Sequence, residues 1–203
     1  MAHHPSSNVE SREVRIPPLG LVGDLWIPLN ASSIVAFAHG SGSSRLSPRN
    51  RDVAKALNLH GMATLLFDPL TIDEESDRTN VFDIPLLADR LVQAVRWIES
   101  QPSVAGLPVG LFGASTGAAA ALVAAASLGE RVGAVVSRGG RPDLAGRALE
   151  RIRVPTLLIF GGADPIVIEL NQQALARLRG PKALQIVPEQ ATSFPNAARL
   201  KPS

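Results

Sequence analysis

The sequence predicts an α/β protein built on a doubly wound, mostly parallel sheet, and three observations carry that prediction. Short apolar runs alternate with helical segments along nearly the whole chain. The runs at 33–38, 109–112 and 156–160 are almost entirely apolar, as strands covered on both faces are. A glycine-rich turn follows each of them: His39-Gly40-Ser41-Gly42, Gly113-Ala114-Ser115-Thr116-Gly117 and Gly161-Gly162-Ala163-Asp164. The 203 residues suffice for one domain with a sizeable core. We assign 1–11 to a polar tail and 12–203 to a single domain.

Taken in order, 13–16 and 19–27 read as two antiparallel strands joined by Pro17-Pro18. After the strand at 33–38, Ser47-Pro48 opens a helix, proline being favoured at the first helical position. That helix runs to about Leu59, with Gly61 as its stop. A strand follows at 62–67, and the acidic segment 73–77 reads as a solvated turn. Leu86, Leu87, Leu91, Val95 and Ile98 recur at helical spacing within 84–99. Beyond the strand at 109–112 comes an Ala-rich helix over 116–128, then strands at 132–136 and 156–160, a helix at 168–178 and a last strand at 183–187. No gap between elements is long enough for an inserted cap domain.

The stretch 100–129 contains no charged residue, and by length alone it is a membrane-span candidate. Gly110, Gly113 and Gly117 inside it, with Pro108 just before, fit a buried strand and helix better, so no membrane partner is expected. With no cysteine, a disulfide framework, a thiolate nucleophile and a cysteine metal site are all excluded. The formal charge is +2 and the basic residues are scattered, which leaves no stripe for nucleic acid. The amino-terminal segment lacks the apolar core of a secretory signal, and a cytoplasmic location is expected. His3 and His4 lie on the polar tail and are read as inert, so neither a metal nor a cofactor is expected.

Gly113-Ala114-Ser115-Thr116-Gly117 carries the chemistry. It matches G-x-S-x-G between a strand and a helix, the context of a nucleophile elbow, where a strained bend lifts a serine hydroxyl above the sheet edge. A serine hydroxyl is a weak nucleophile and needs a base and oxyanion donors. The residue after the nucleophile supplies one donor, here the Thr116 N–H. The other comes from the loop after an earlier strand, where Ser41 N–H is the first candidate and Gly42 N–H the next. Asp164 follows a strand and a Gly-Gly turn and comes after Ser115 in chain order, as the acid of such a triad does. It also fits as a helix N-cap, and both roles can hold together. Asp143 is the fallback acid, but reads better as a cap or as a partner for Arg138 or Arg141. The histidines are His3, His4, His39 and His60, all upstream of Ser115. His39 is read as a backbone-bonding residue of its loop rather than a substitute base. The arginines at 138, 141, 147, 151 and 153 are read as a solvated face rather than an anion site.

The chain resembles the small dienelactone hydrolase-like branch of the α/β-hydrolases. The resemblance rests on residues 39–45, His-Gly-Ser-Gly-Ser-Ser-Arg, and 80–87, Asn-Val-Phe-Asp-Ile-Pro-Leu-Leu. Gly113–Gly117, 137–143 (Ser-Arg-Gly-Gly-Arg-Pro-Asp) and 161–164 complete it. It covers about residues 12–192 and implies a capless ester-hydrolysing α/β-hydrolase fold, with Ser115 as nucleophile and Asp164 as triad acid. Relatives follow the last strand with a Gly-Ala-Thr-His-type segment and a final helix. Here the stretch is Gln190-Ala191-Thr192-Ser193-Phe194, so Ser193 stands at the expected base position and the last helix is missing or truncated. Dienelactone hydrolases proper use a cysteine nucleophile, and that substrate does not carry over.

Two functions follow. One is a serine hydrolase acting on small ester-like substrates through a Ser115 acyl-enzyme, impaired by absence of the triad histidine. The other is a catalytically silent protein of the same fold with a binding or interaction role. A missing last helix would expose Leu184 and Ile186, and exposed apolar surface marks a partner; a homodimer through this end of the sheet is expected. No G-x-G-x-x-G opens a helix after a strand and no P-loop is present, which removes dinucleotide and P-loop functions.

Overall fold

In a computed structural model of the chain, residues 9–162 and 164–188 are described. The elements are β1 (Val9–Ile16), β2 (Leu21–Pro28), β3 (Ser33–Ala38), α1 (Pro48–Leu59), β4 (Met62–Phe67), α2 (Ile72–Ser76) and α3 (Ile84–Ser100). They continue with β5 (Val109–Ala114), α4 (Thr116–Leu128), β6 (Val132–Arg138), β7 (Thr156–Gly161), α5 (Pro165–Arg177) and β8 (Lys182–Val187). One eight-stranded sheet runs in the order β1-β2-β4-β3-β5-β6-β7-β8. β1 pairs antiparallel with β2, and β2 antiparallel with β4. All other neighbours are parallel, so the mostly parallel sheet expected from the alternating pattern is present. Among the described residues it carries no cap domain.

Parallel strands must be covered on both faces, and here the two faces differ. Leu111, Val135 and Leu158 point to the side covered by α3, α4 and α5 and are fully buried. α4 sits between α3 and a 3-10 segment, Pro142–Arg151. Its alanines are buried on nearly every side, and their small side chains let it lie close to β5. The opposite face carries α1. Its core is a small cluster of Phe37, Ala54, Leu66 and Phe112, with the Phe37 and Phe112 rings 4.9 Å apart. Beyond α1 the apolar side chains of β6 and β7 on this face, Val136, Leu157 and Ile159, are only half-buried. With Val35, and with Val53 and Leu57 of α1, they line an open apolar groove. At the sheet edge, Ile186 and Val187 of β8 are 37% and 48% exposed.

Several elements differ from the sequence expectation. β1 begins at Val9, so residues 9–11, expected within the tail, pair with 26–28 of β2. The acidic segment is the short helix α2, not a solvated turn. Thr71 accepts a hydrogen bond from Glu74 N–H, and the Glu74 carboxylate accepts one from Thr71 N–H, a capping box legible as T-x-x-E. Arg90 of α3 reaches the same carboxylate at 2.7 Å. The 3-10 segment was not foreseen; it buries Ala145, Ala148 and Leu149. The charge-free stretch becomes β5 and α4, and among the described residues no helix is long and apolar enough to cross a membrane.

Candidate active site

β5 ends at Ala114 and α4 begins at Thr116, so a single residue makes the turn. Ser115 has φ 54° and ψ −126°, a backbone state close to the first central residue of a type II′ turn and normally taken by glycine. Holding a residue there costs about 1–3 kcal/mol. Two close approaches enforce the bend. A Cβ on Gly117 would run into the carbonyls of Ala38 and His39, and one on Gly113 would meet the backbone of Gly117 and Ala118. Both glycines of G-x-S-x-G are thus required by contact. The strained turn leaves Ser115 exposed at the carboxyl end of the sheet, and its carbonyl accepts from Ala118 N–H at 3.1 Å and Arg141 N–H at 3.4 Å.

The loop after β3 lies against this bend. Ser43 N–H donates to Gly40 O at 3.2 Å, and Gly42 has φ +70°, the left-handed third position of a type II turn. Ser41 N–H donates to Thr116 Oγ1 at 3.1 Å, which ties the loop to the first turn of α4. Gly42 N–H has no acceptor among the described residues. Thr116 N–H is in the first turn of α4, where amides lack intrahelical partners. A cleft opens beside this turn, lined by His39, Ser41, Asp68, Leu70, Val81 and Leu87 among others.

A charged network that sequence reasoning missed holds the loop from behind. His39 Nδ1 lies 3.1 Å from Gly40 O, and its Nε2 lies 3.3 Å from Asp68 Oδ1. Both ring nitrogens face partners other than Ser115, which matches the reading of His39 as a structural residue. Asp68, just past β4, also accepts from Arg45 N–H at 2.7 Å and from the Arg45 guanidinium at 2.8 Å. Burial pushes the Asp68 carboxyl up, but hydrogen bonds from His39 and Arg45 outweigh it and hold the group below the usual carboxylate range. The signal available in the sequence was Asp68 immediately after a buried strand.

Asp164 caps α5: its Oδ1 accepts from Ile166 N–H at 2.9 Å and Val167 N–H at 3.3 Å. It follows β7, two strands from β5 in the sheet, and is exposed. Asp143 is held by Arg141 through two parallel bonds of 2.9 and 2.8 Å. His60 sits at the far end of α1, its Nδ1 2.8 Å from Ala56 O. Ser193, at the expected base position, lies outside the described residues, as do His3 and His4.

This strand order, with a serine at the single-residue bend between β5 and α4 and no cap, defines an α/β-hydrolase fold. The chain matches the model of the dienelactone hydrolase family over residues 74–198, and it belongs to that family. A protein of Mycobacterium tuberculosis named as a phosphoribosyl transferase is 53% identical over 200 residues. That alignment takes in 98% of this chain and 45% of the relative, so the chain spans less than half the relative's length. The crystal structure of a dienelactone hydrolase from Anabaena variabilis is 54% identical with a TM-score of 0.85, over 89% of this chain and 86% of that one. Est1E from Butyrivibrio proteoclasticus has a TM-score of 0.72 at 15% identity, over 88% of both chains, and shares the fold.

Proposed function

We propose that this chain is a serine hydrolase of carboxylic esters, with Ser115 as the nucleophile. The observation that carries the reading is the φ 54° of Ser115 at the β5–α4 bend. A non-glycine residue keeps such a backbone only where the surroundings impose it, and such strain clusters at reactive positions. In this reaction the Ser115 hydroxyl loses its proton to a base as Oγ bonds to the acyl carbon. The carbonyl oxygen becomes an oxyanion, and the alkoxide leaves with a proton. Water then attacks the acyl-serine and releases the acid. Thr116 N–H and Gly42 N–H hold the oxyanion. Ser41 N–H joins them once the Thr116 hydroxyl turns away. One such donor supplies about 3–4 kcal/mol of transition-state stabilisation. Asp164 serves as triad acid while also capping α5.

Because Ser193 takes the position where the family resemblance expects histidine, the reaction is impaired. Oxyanion binding and positioning alone leave about 10³–10⁴-fold catalysis over water. The phosphoribosyl transferase name belongs to a protein more than twice this length, and the reading here rests on the part the two share. A second reading, a silent protein of this fold with a binding role, draws on the engagement of both His39 nitrogens elsewhere. Self-association through β8 and a cytoplasmic location belong to either reading; light scattering at micromolar concentration tests the first. The deciding experiment is labelling by a fluorophosphonate probe, with hydrolysis of short-chain aryl esters, for the native chain, Ser115→Ala and Ser193→His. Labelling lost in Ser115→Ala and hydrolysis raised in Ser193→His support the serine mechanism; an unlabelled native chain favours the silent reading.

A further inference from the structure

The His39 ring meets an oxygen at each of its two nitrogens. Nδ1 lies 3.1 Å from the Gly40 carbonyl and Nε2 lies 3.3 Å from Asp68 Oδ1. The side chain is only 11% exposed. Nε2 is shut away from solvent and has no well-aligned hydrogen-bond partner among the described residues. No room is left for water at that nitrogen, so the Asp68 carboxylate is the group that sets its state. Arg45 holds that carboxylate in turn, through its backbone N–H and its guanidinium.

A neutral imidazole has one N–H and one lone pair, and only the imidazolium donates from both nitrogens. Whichever nitrogen of a neutral His39 held the proton, the other would turn its lone pair toward an oxygen. The surrounding charges favour the second proton. Asp68 stands at the end of β4, and the Arg45 guanidinium on it also reaches Glu13 of β1 at 3.5 Å and Asp24 of β2 at 3.7 Å. Arg51 of α1 pairs with Asp24, and Glu75 of α2 lines the same cleft as His39. The β5–α4 bend brings no charged side chain. Around this ring the acids outnumber the arginines.

We propose that His39 is a positioning residue of the loop after β3 and acts through its charge: the imidazolium ties the Gly40 carbonyl to Asp68, and loss of one proton releases one end of the tie. The carbonyl it holds is the one that closes the turn, since Ser43 N–H donates to the same oxygen at 3.2 Å. Ser41 and Gly42, whose amides are proposed to meet the oxyanion, are the two central residues of that turn. Gly40 itself packs against Ser115, where an added Cβ would lie 2.6 Å from Ser115 Cβ. The charge on the ring therefore reaches both amides without touching substrate. This deepens the reading of Ser115 as nucleophile and rests on it, but the loop's response to His39 is measurable without any reaction.

Two variants each keep one of the contacts without the charge. His39→Asn offers an amide N–H near the Nδ1 position, toward Gly40, and His39→Gln offers one near Nε2, toward Asp68. Fluorophosphonate labelling is followed between about pH 5 and pH 8, the range in which histidine changes charge. The native-to-variant ratio of rates is taken at each pH, so that the serine's own pH dependence cancels. Where the ring is charged the ratio is expected to be at least about tenfold, because a lost oxyanion donor costs that much or more, and it falls toward one as the ring loses its proton. In the Ser115→Ala chain, nitrogen-15 spectra over the same range are expected to show two ring N–H groups at the acid end. The Ser41 and Gly42 amides then shift with the midpoint of the ring. This second measurement needs neither His39 variant to fold. An unlabelled native chain whose loop amides still follow the ring removes the serine reading and keeps His39 as the loop's anchor. A ring with a single N–H at the acid end, loop amides that do not follow the ring, or a labelling ratio that stays flat while the ring titrates overturns the proposal.

Discussion

Gly40 and Ser115 are packed so closely that a Cβ on Gly40 would lie 2.6 Å from Ser115 Cβ and 3.0 Å from the Ala114 carbonyl. No side chain fits between the loop after β3 and the bend after β5, and that close approach lets Ser41 N–H reach Thr116 Oγ1. Gly40→Ala must push the two apart. Overpacking of this kind costs about 1–3 kcal/mol, and the displaced loop moves the Gly42 N–H away from the position proposed for the oxyanion. The expected outcome is a drop of several degrees in melting temperature and a fluorophosphonate labelling rate at least tenfold lower. Unchanged labelling would show that the loop takes no part in holding the oxyanion.

Ser115→Gly gives the opposite sign for stability. Glycine relieves the about 1–3 kcal/mol stored at φ 54°, and loses about 0.5–1 kcal/mol through the greater freedom of the unfolded chain. A net gain of about 1 kcal/mol is expected in urea denaturation, together with complete loss of labelling. Ser115→Ala keeps the strain and should lie near the native stability. A serine whose removal stabilises the chain is held there against the fold's own preference.

Much of this was legible in the sequence. The alternation of apolar runs and helical segments predicts the sheet, and G-x-S-x-G predicts the bend, although only Gly113 is demanded by neighbours in the motif; Gly117 is demanded by the carbonyls of Ala38 and His39 at the end of β3. The Asp164 cap was legible from its place after a Gly-Gly turn. What was missed depends on partners distant in sequence. Asp68 becomes a site residue only because β4 lies beside β3, which brings its carboxylate to His39 and Arg45. Arg138 looked like one of a scattered arginine set until the register of β6 put it over Phe112. The sequence points to exposed apolar side chains on β8, and the structure has half-buried ones on β6 and β7 as well. Sequence period identifies which face a side chain takes, but not whether anything covers that face.

Asp68 predicts a pH dependence. Its folded-state carboxyl lies below the usual range, while the unfolded value is about 3.9. The contribution to stability is therefore complete above the unfolded value and is lost as pH falls through the lower folded value. Hydrogen bonds to a charged group contribute about 1.5–3 kcal/mol, so Asp68→Asn should destabilise the chain by about that much at pH 7. The gap between the two proteins should therefore narrow as pH falls below the unfolded value of about 3.9 and go on narrowing toward the acid end of the range. Denaturation measured from pH 7 to pH 2.5 checks this. A gap that stays constant across the range would mean that Asp68 acts by shape and not by charge.

Asp164 carries two assignments that one pair of variants separates. Its Oδ1 accepts from Ile166 and Val167 N–H, and removing an N-cap costs about 1 kcal/mol. Asp164→Ala loses both cap and charge. Asp164→Asn keeps the acceptor oxygen and loses only the charge, so its melting temperature should stay close to the native one. If Asp164 is also the triad acid, it orients and stabilises a charged imidazole, a role that needs a histidine to act on. Its effect should therefore be largest in the Ser193→His background. There, Asp164→Asn is expected to lower aryl ester hydrolysis at least tenfold with the fold intact, and in the native background far less. Equal, small losses in both backgrounds would leave Asp164 as a cap alone. The acid would then have to be sought elsewhere along the carboxyl ends of β6 and β7, since Asp143 is already bound by Arg141 through both oxygens.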